Sequence, residues 1–313
     1  MTDLRIIFAG SGAFGVPSLN GLLDRSATLV RVYTQPDKPA GRGHVLTPTP
    51  VGKWAIDNGI DVVRTADINA EALPEADLLV VIAFGQKLAP HIVDHARLGA
   101  VNLHASRLPR YRGAAPINWA VINGDPTTGN SVIRLAQKMD AGAVLAMSEL
   151  SIGETETAGE VHDRLATDGA GLVARVAAQL RDGTAMPIEQ DHSLASKAPK
   201  LSREAAQIDW TRDARAIANQ IRGMHPWPGC RVQLVDAADK VHDRMTLVRA
   251  RPIDQQSTEP PGTLEPTSST VACGSGSAIE LIEIHPDGKR PLRAVDYLRG
   301  RRFGTAMKLV SAT

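Results

Sequence analysis

Val101-Asn102-Leu103-His104-Ala105-Ser106-Arg107-Leu108-Pro109-Arg110-Tyr111-Arg112-Gly113-Ala114-Ala115-Pro116 is the stretch on which the reading of this chain turns. Its approach, Leu98 to Leu103, is a short apolar run that reads as a buried strand, and Pro109 and Gly113 break regular structure beyond it. Side chains two apart on a strand share a face, so Asn102 and His104 point the same way. The end of a strand in an open α/β sheet is where such folds place ligands. An amide and an imidazole side by side there can polarise a carbonyl and stabilise the oxyanion formed when a nucleophile attacks it. Asn-x-His by itself is also the mark of two core polar side chains satisfied by backbone groups, so the surroundings decide.

Working outward, Leu4–Ala9 is an apolar strand followed by Gly10-Ser11-Gly12-Ala13-Phe14-Gly15, a short helix near Pro17–Leu23 and a strand at Leu29–Thr34. This is a βαβ unit carrying G-x-G-x-x-G, the dinucleotide fingerprint. The fingerprint also wants an acidic residue where the second strand ends, to bind the ribose hydroxyls. Here that strand runs into Thr34-Gln35-Pro36, and Asp37 lies beyond the proline. The glycines therefore read as a tight turn that lets a ligand approach backbone N–H groups, and a nicotinamide-dependent dehydrogenase is disfavoured. Gln35 to Pro50, rich in proline, predicts an extended loop before a helix at Val51–Asn58, longer than an ordinary connection. Ile60–Arg64 and Leu78–Ala83 add two strands, the second nearly all apolar and expected at the centre of a sheet.

Beyond the central stretch, Ala115–Asn123 reads as a helix, and Thr128–Leu135 and Ala143–Leu150 as strands with Asp140 in the loop between them. Thr157–Arg181 has a helical apolar stripe. Then the character changes. Ala214–Met224 is one helix, stopped by His225-Pro226-Trp227-Pro228-Gly229. Short strand-like runs come after it at Arg231–Val235, Met245–Val248, Thr270–Cys273 and Ala278–Ile284, which suggests a small β-barrel.

The 313 residues are comfortable for two domains, and 43% apolar with 22% charged residues is the balance of a globular protein in water. No apolar run approaches the roughly 20 residues of a membrane span. The chain enters a strand at once with no signal-peptide pattern, so a cytoplasmic protein is expected. Cys230 and Cys273 are too few for a disulfide framework or a cysteine metal site. The net charge is +1, but residues 201–313 hold 16 basic against 13 acidic side chains. Within 289–308, Lys289, Arg290, Arg293, Arg299, Arg301, Arg302 and Lys308 face only Asp296. Such a tail is either a solvated face or an electrostatic footprint for a phosphate backbone.

Asn-x-His followed by Ser-x-Leu-Pro-x-Tyr-Arg-Gly-Ala-Ala-Pro resembles the signature of the folate-dependent formyltransferases, and its Arg-Gly-Ala-Ala-Pro ending looks most like the branch that acts on methionyl-tRNA. Met139-Asp140-Ala141-Gly142 supplies that family's Asp-x-Gly. Pro39-Ala40-Gly41-Arg42-Gly43 resembles its tRNA-contacting insertion loop, and His-Pro-Trp-Pro and Gly288-Lys289-Arg290 are further landmarks, so the resemblance covers nearly the whole chain. It implies an α/β fold: a Rossmann-like formyltransferase domain over 1–188, a linker over 189–204 and an OB-like β-barrel tRNA-binding domain over 205–313.

It implies formyl transfer from 10-formyltetrahydrofolate to the α-amine of methionyl-initiator-tRNA, by a monomer. Asn102, His104 and Asp140 would be catalytic. Ser106, Arg107, Leu108 and Pro109 would line the folate pocket, with Phe84, Gly85 and Gln86 contributing largely through main-chain groups. Arg42, Phe14, Lys289 and Arg290 would meet the charged tRNA. No metal is needed, and no His/Cys cluster at ligand spacing offers one. Three departures stand out: Arg107 replaces an apolar residue, Ala143 replaces an acidic one, and His44-Val45 stand where lysines often follow. A sugar-nucleotide N-formyltransferase would share the catalytic domain, but the Arg42 loop and the basic C-terminal barrel argue against it. A non-catalytic tRNA-binding module would require the Asn102, His104, Asp140 set to be accidental.

Overall fold

Six strands running in one direction and one running against them build the sheet that carries the central stretch. They are β1 (Leu4–Gly10), β2 (Ala27–Thr34), β3 (Val62–Arg64), β4 (Leu78–Ile82), β5 (Ala100–His104), β6 (Ser131–Arg134) and β7 (Val144–Met147). Their order is β7-β6-β5-β4-β1-β2-β3; β6 runs antiparallel to β5, and β7 antiparallel to β6. The structure, a computed structural model, describes residues 3–23, 27–41, 43–301 and 307–312. The chain divides into two compact units. The first comprises Met1–Gly113, Gly129–Leu150 and His162–Lys197, and the second Ala114–Thr128, Ser151–Val161 and Ala198–Thr313.

In the first unit β4 lies at the middle of the sheet with every residue buried, as its unbroken apolar run requires of a strand covered on both faces. The strand order reverses between β1 and β4, so their C-terminal ends open the crevice where open α/β sheets bind ligands. β5 is the next strand out, in register with β4 through Val81 opposite Asn102. The segment read as an extended loop after β2 instead folds into a short hairpin, Lys38–Ala40 against Val45–Thr47. Pro39 lies within it, and an isolated two-stranded ribbon tolerates the missing N–H.

The second unit is a closed antiparallel barrel of β8 (Cys230–Val235), β9 (Val241–Ile253), β10 (Thr263–Glu265), β11 (Thr270–Ala272), β12 (Ala278–Pro286) and β13 (Met307–Ser311). β9 pairs with both β8 and β12, which closes the ring. The helix Ala214–Met224 starts where the Asp213 carboxylate accepts the Ala216 N–H. It buries Ile217, Ala218, Ile221 and Met224 in the barrel's core. Trp119 and Ile122, from the helix Pro116–Ile122, pack on the same core. The helix Ala158–Arg181 begins with a capping box: the Thr157 N–H and hydroxyl donate to the Glu160 carboxylate, and the Glu160 N–H donates back to the Thr157 hydroxyl. Arg249 on β9 also grips that carboxylate, at 2.8 Å. Among the described residues, no helix is long and apolar enough to cross a membrane.

Candidate active site

Asn102 and His104 stand on one face at the C-terminal end of β5, and each is tethered by a backbone carbonyl. The Asn102 Nδ2 donates to the Val81 carbonyl at 2.9 Å. A carbonyl only accepts, so this contact fixes the amide's orientation and leaves its second N–H and its Oδ1 for other partners. His104 is buried and donates from Nε2 to the Tyr111 carbonyl at 2.9 Å. By the same logic Nε2 carries a hydrogen, and Nδ1 is the nitrogen left for chemistry. Nδ1 faces the Asp140 Oδ1 at 3.7 Å, an ion-pair distance too long for a hydrogen bond. The other oxygen of Asp140 accepts the Gly113 N–H at 2.8 Å. The central stretch thus holds the aspartate from one side while its Tyr111 carbonyl orients the histidine from the other.

The backbone around this pair is strained. Ala83, Tyr111 and Asp140 all have positive φ, at 48°, 61° and 53°. Each costs about 1–2 kcal/mol for a side chain other than glycine's, so surrounding bonds must hold these turns. Ser196 does so for Tyr111, accepting its N–H on the hydroxyl at 2.9 Å, while the Ser196 carbonyl takes the Arg112 N–H. Gln190 does so for the Asp140 loop: its Nε2 donates to the carbonyls of Asp140 and Gly142, at 2.9 and 2.8 Å. Gly142 itself admits no side chain, since a Cβ there would lie 1.9 Å from the Arg134 carbonyl oxygen. These supports fall in the stretch expected as a linker or are backbone groups, and no sequence signal marked them.

The glycine turn after β1 differs from expectation. The N–H groups of Ser11 and Gly12 both donate to the Ala83 carbonyl, and that of Gly15 returns to Gly12, so they are spent inside the protein rather than offered to a ligand. Phe84 is buried in the core, and its carbonyl accepts from the Gln35 side chain at 2.8 Å. Gln86 is tied by its carboxamide to the Ile68 N–H and the Thr65 carbonyl. Gly85, exposed at φ 77°, favours glycine for that φ, and a Cβ there would push aside the end of the Gln35 side chain, whose Nε2 lies 2.6 Å away. No protein acceptor among the described residues takes the N–H of Gly85, Gln86 or Lys87. The turn therefore presents free main-chain donors beside β5, a surface suited to a flat heterocycle rich in acceptors.

Sequence models of known families match both parts of the chain: the one described as "Formyl transferase" over residues 4–176, and "Formyl transferase, C-terminal domain" over 200–302. A methionyl-tRNA formyltransferase of Bacillus licheniformis is 37% identical over 311 residues, 97% of this chain and 98% of its own length. One from Stutzerimonas stutzeri is 40% identical over 316 residues, 98% of either chain. This chain belongs to the methionyl-tRNA formyltransferase family. Among solved structures, WlaRD, a sugar 3N-formyl transferase in the presence of dTdp and 5-N-Formyl-THF, has a TM-score of 0.65 at 16% identity. That likeness covers 92% of this chain and all of the other, and at such identity it speaks for the fold alone.

The remaining candidate residues of this formyltransferase are dispersed. Ser106 and Leu108 are buried and knit the stretch to β6. The Ser131 hydroxyl donates to the Ser106 carbonyl at 2.7 Å and accepts the Leu108 N–H at 3.0 Å. Pro109 follows through a cis peptide and is half-buried, whereas Arg107 is exposed and pairs with Glu149. Phe14 is buried with its ring 5.2 Å from that of His162. In the barrel unit Lys289 lies over the Tyr297 ring at 5.1 Å, and Arg290 is exposed. Arg42 and Arg302 lie outside the described residues. Cys230 and Cys273 are both buried, and burial pushes each thiol up to about 12, so neither is a nucleophile or a ready metal ligand.

Proposed function

We propose that this chain transfers the formyl group of 10-formyltetrahydrofolate to the α-amine of methionyl-initiator-tRNA, in the cytoplasm, giving N-formylmethionyl-tRNA for translation initiation. The observation that carries this reading is the near full-length likeness to relatives named methionyl-tRNA formyltransferase, in catalytic and C-terminal parts together. The geometry suits the chemistry. Attack of the neutral amine on the formyl carbon makes a C–N bond and a tetrahedral oxyanion. The free Asn102 N–H and a protonated His104 Nδ1 stabilise that charge. Asp140 holds His104 in place as its counter-ion, and its carboxylate, through a water, takes the proton lost by the amine and returns it to the folate nitrogen as the bond from that nitrogen to the formyl carbon breaks. The free N–H groups at Gly85 to Lys87 hold the pterin edge, and Ser106 to Pro109 shape the neighbouring wall. Lys289, Arg290 and Arg42 provide phosphate and base-edge contacts for the tRNA.

The test is to offer 10-formyltetrahydrofolate with a labelled formyl group alongside either charged initiator tRNA or amino-sugar nucleotides. Label is expected on the tRNA-borne methionine. Label on the amino sugar alone would overturn the reading in favour of a sugar-nucleotide N-formyltransferase.

A further inference from the structure

Gln190 uses every hydrogen-bonding position of its carboxamide on the candidate active site. It is 8% exposed. Its Oε1 accepts from both Nε and Nη2 of Arg112, at 3.2 and 2.6 Å, and its two N–H groups go to the Asp140 and Gly142 carbonyls. Only one orientation of the amide is possible, because its nitrogen must face two carbonyls and its oxygen a guanidinium. Arg112 extends the chain of contacts to the His192 Nδ1 at 2.8 Å. The clamp closes on both sides of Asp140: the Gly113 N–H holds its side chain, while Gln190 holds its own carbonyl and that of the residue two further on. Asp140 sits at positive φ, so this loop needs outside support to keep Oδ1 opposite His104.

We propose that Gln190 is a positioning residue for formyl transfer, acting through Asp140 by fixing the Asp140–Gly142 loop against Arg112. The proposal rests on the reading of Asp140 as part of the catalytic pair. Two substitutions separate the bonds. Gln190→Met removes them all. Gln190→Glu keeps an acceptor for Arg112 but sets carboxylate oxygens against two carbonyls. Rates are corrected for the folded fraction by circular dichroism. Both variants are expected to lose about 10- to 100-fold in kcat, the scale of a displacement near 1 Å at a reacting group, with KM for folate and tRNA within about threefold. In an Asp140→Asn background, followed by single-turnover kinetics, the further loss from Gln190→Met should shrink below about threefold. A merely structural residue would cost the same factor in both backgrounds, and that result overturns the proposal. So does wild-type kcat in Gln190→Glu. A crystal structure of Gln190→Met gives a readout free of activity: a displaced Asp140 loop supports the inference and an unmoved one sinks it. A wild-type protein that formylates nothing would instead defeat the assignment of activity, and the crystal structure would then decide the positioning role by itself.

Discussion

One methyl group on Gly142 should disable this enzyme. A Cβ at that position lies 1.9 Å from the Arg134 carbonyl oxygen and 2.9 Å from its carbon. Carbon–oxygen contacts seldom close below about 3.3 Å, so the overlap is about 1.4 Å. Arg134 cannot yield: it is on β6, paired to Val101 of β5, and its N–H donates to the Ala143 carbonyl at 2.9 Å. The loop must move instead, stretching the Gln190 bond to the Gly142 carbonyl and drawing Asp140 from His104. Overpacking of this kind costs about 1–3 kcal/mol, and a weakened buried hydrogen bond adds about 1 kcal/mol. The protein should still fold, with Tm lower by roughly 5–10 °C. Displacing a catalytic group by about 1 Å is worth about 100-fold in rate. Gly142→Ala should therefore show kcat down about 100-fold at saturating folate and charged tRNA, with folate affinity within about threefold because the Gly85 turn is untouched. A Gly142→Ala enzyme with a lowered Tm and wild-type kcat would refute the placement of Asp140 in the reaction. One with wild-type Tm as well would mean the loop has room that the backbone geometry denies.

His104→Ala and Asp140→Asn should each lower kcat/KM by at least about 100-fold while leaving tRNA affinity nearly unchanged, and the double variant should be little worse. Multiplying losses in steady-state kinetics would contradict their partnership. Lys289→Ala and Arg290→Ala should raise KM for charged tRNA and each lower the salt slope of binding by about 1, leaving folate KM alone. Unchanged slopes in a filter-binding titration would remove them from the tRNA contact. The Glu160 carboxyl is held down to about 2, first by the Arg249 guanidinium, against burial, and then by Thr157. Because its folded value lies below the ordinary 4.5, its stabilisation is complete above about pH 4.5 and is lost as pH falls toward 2. With the side chain half exposed, screening cuts the linkage value to about 1–2 kcal/mol. Glu160→Gln should cost that amount in urea melts at pH 7 and almost nothing near pH 2, and equal costs at both would refute the assignment.

Elements whose burial is uniform or whose ends carry chemistry are legible along the chain alone. Leu78–Ile82 is legible because a strand covered on both faces needs no alternation, and Ala214–Met224 because Asp213 caps its start and His225-Pro226 stops it. The residue types and spacing of Asn102, His104 and Asp140, and hence the family, were legible for the same reason: they are side chains in order along one chain. Two barrel strands, Thr263–Glu265 and Met307–Ser311, were not, since so short a run shows no period and only pairing across the closed ring makes it a strand. The same limit hid how the site is held. The Val81 and Tyr111 carbonyls and the Gly113 N–H carry no mark in a sequence, because every residue but proline has such groups. The N–H groups of the glycine turn were spent on the Ala83 carbonyl by the close approach of two strand ends, and Gln190 met Asp140 across fifty residues of chain. Those encounters depend on distance in space, and only the folded sheet decides it.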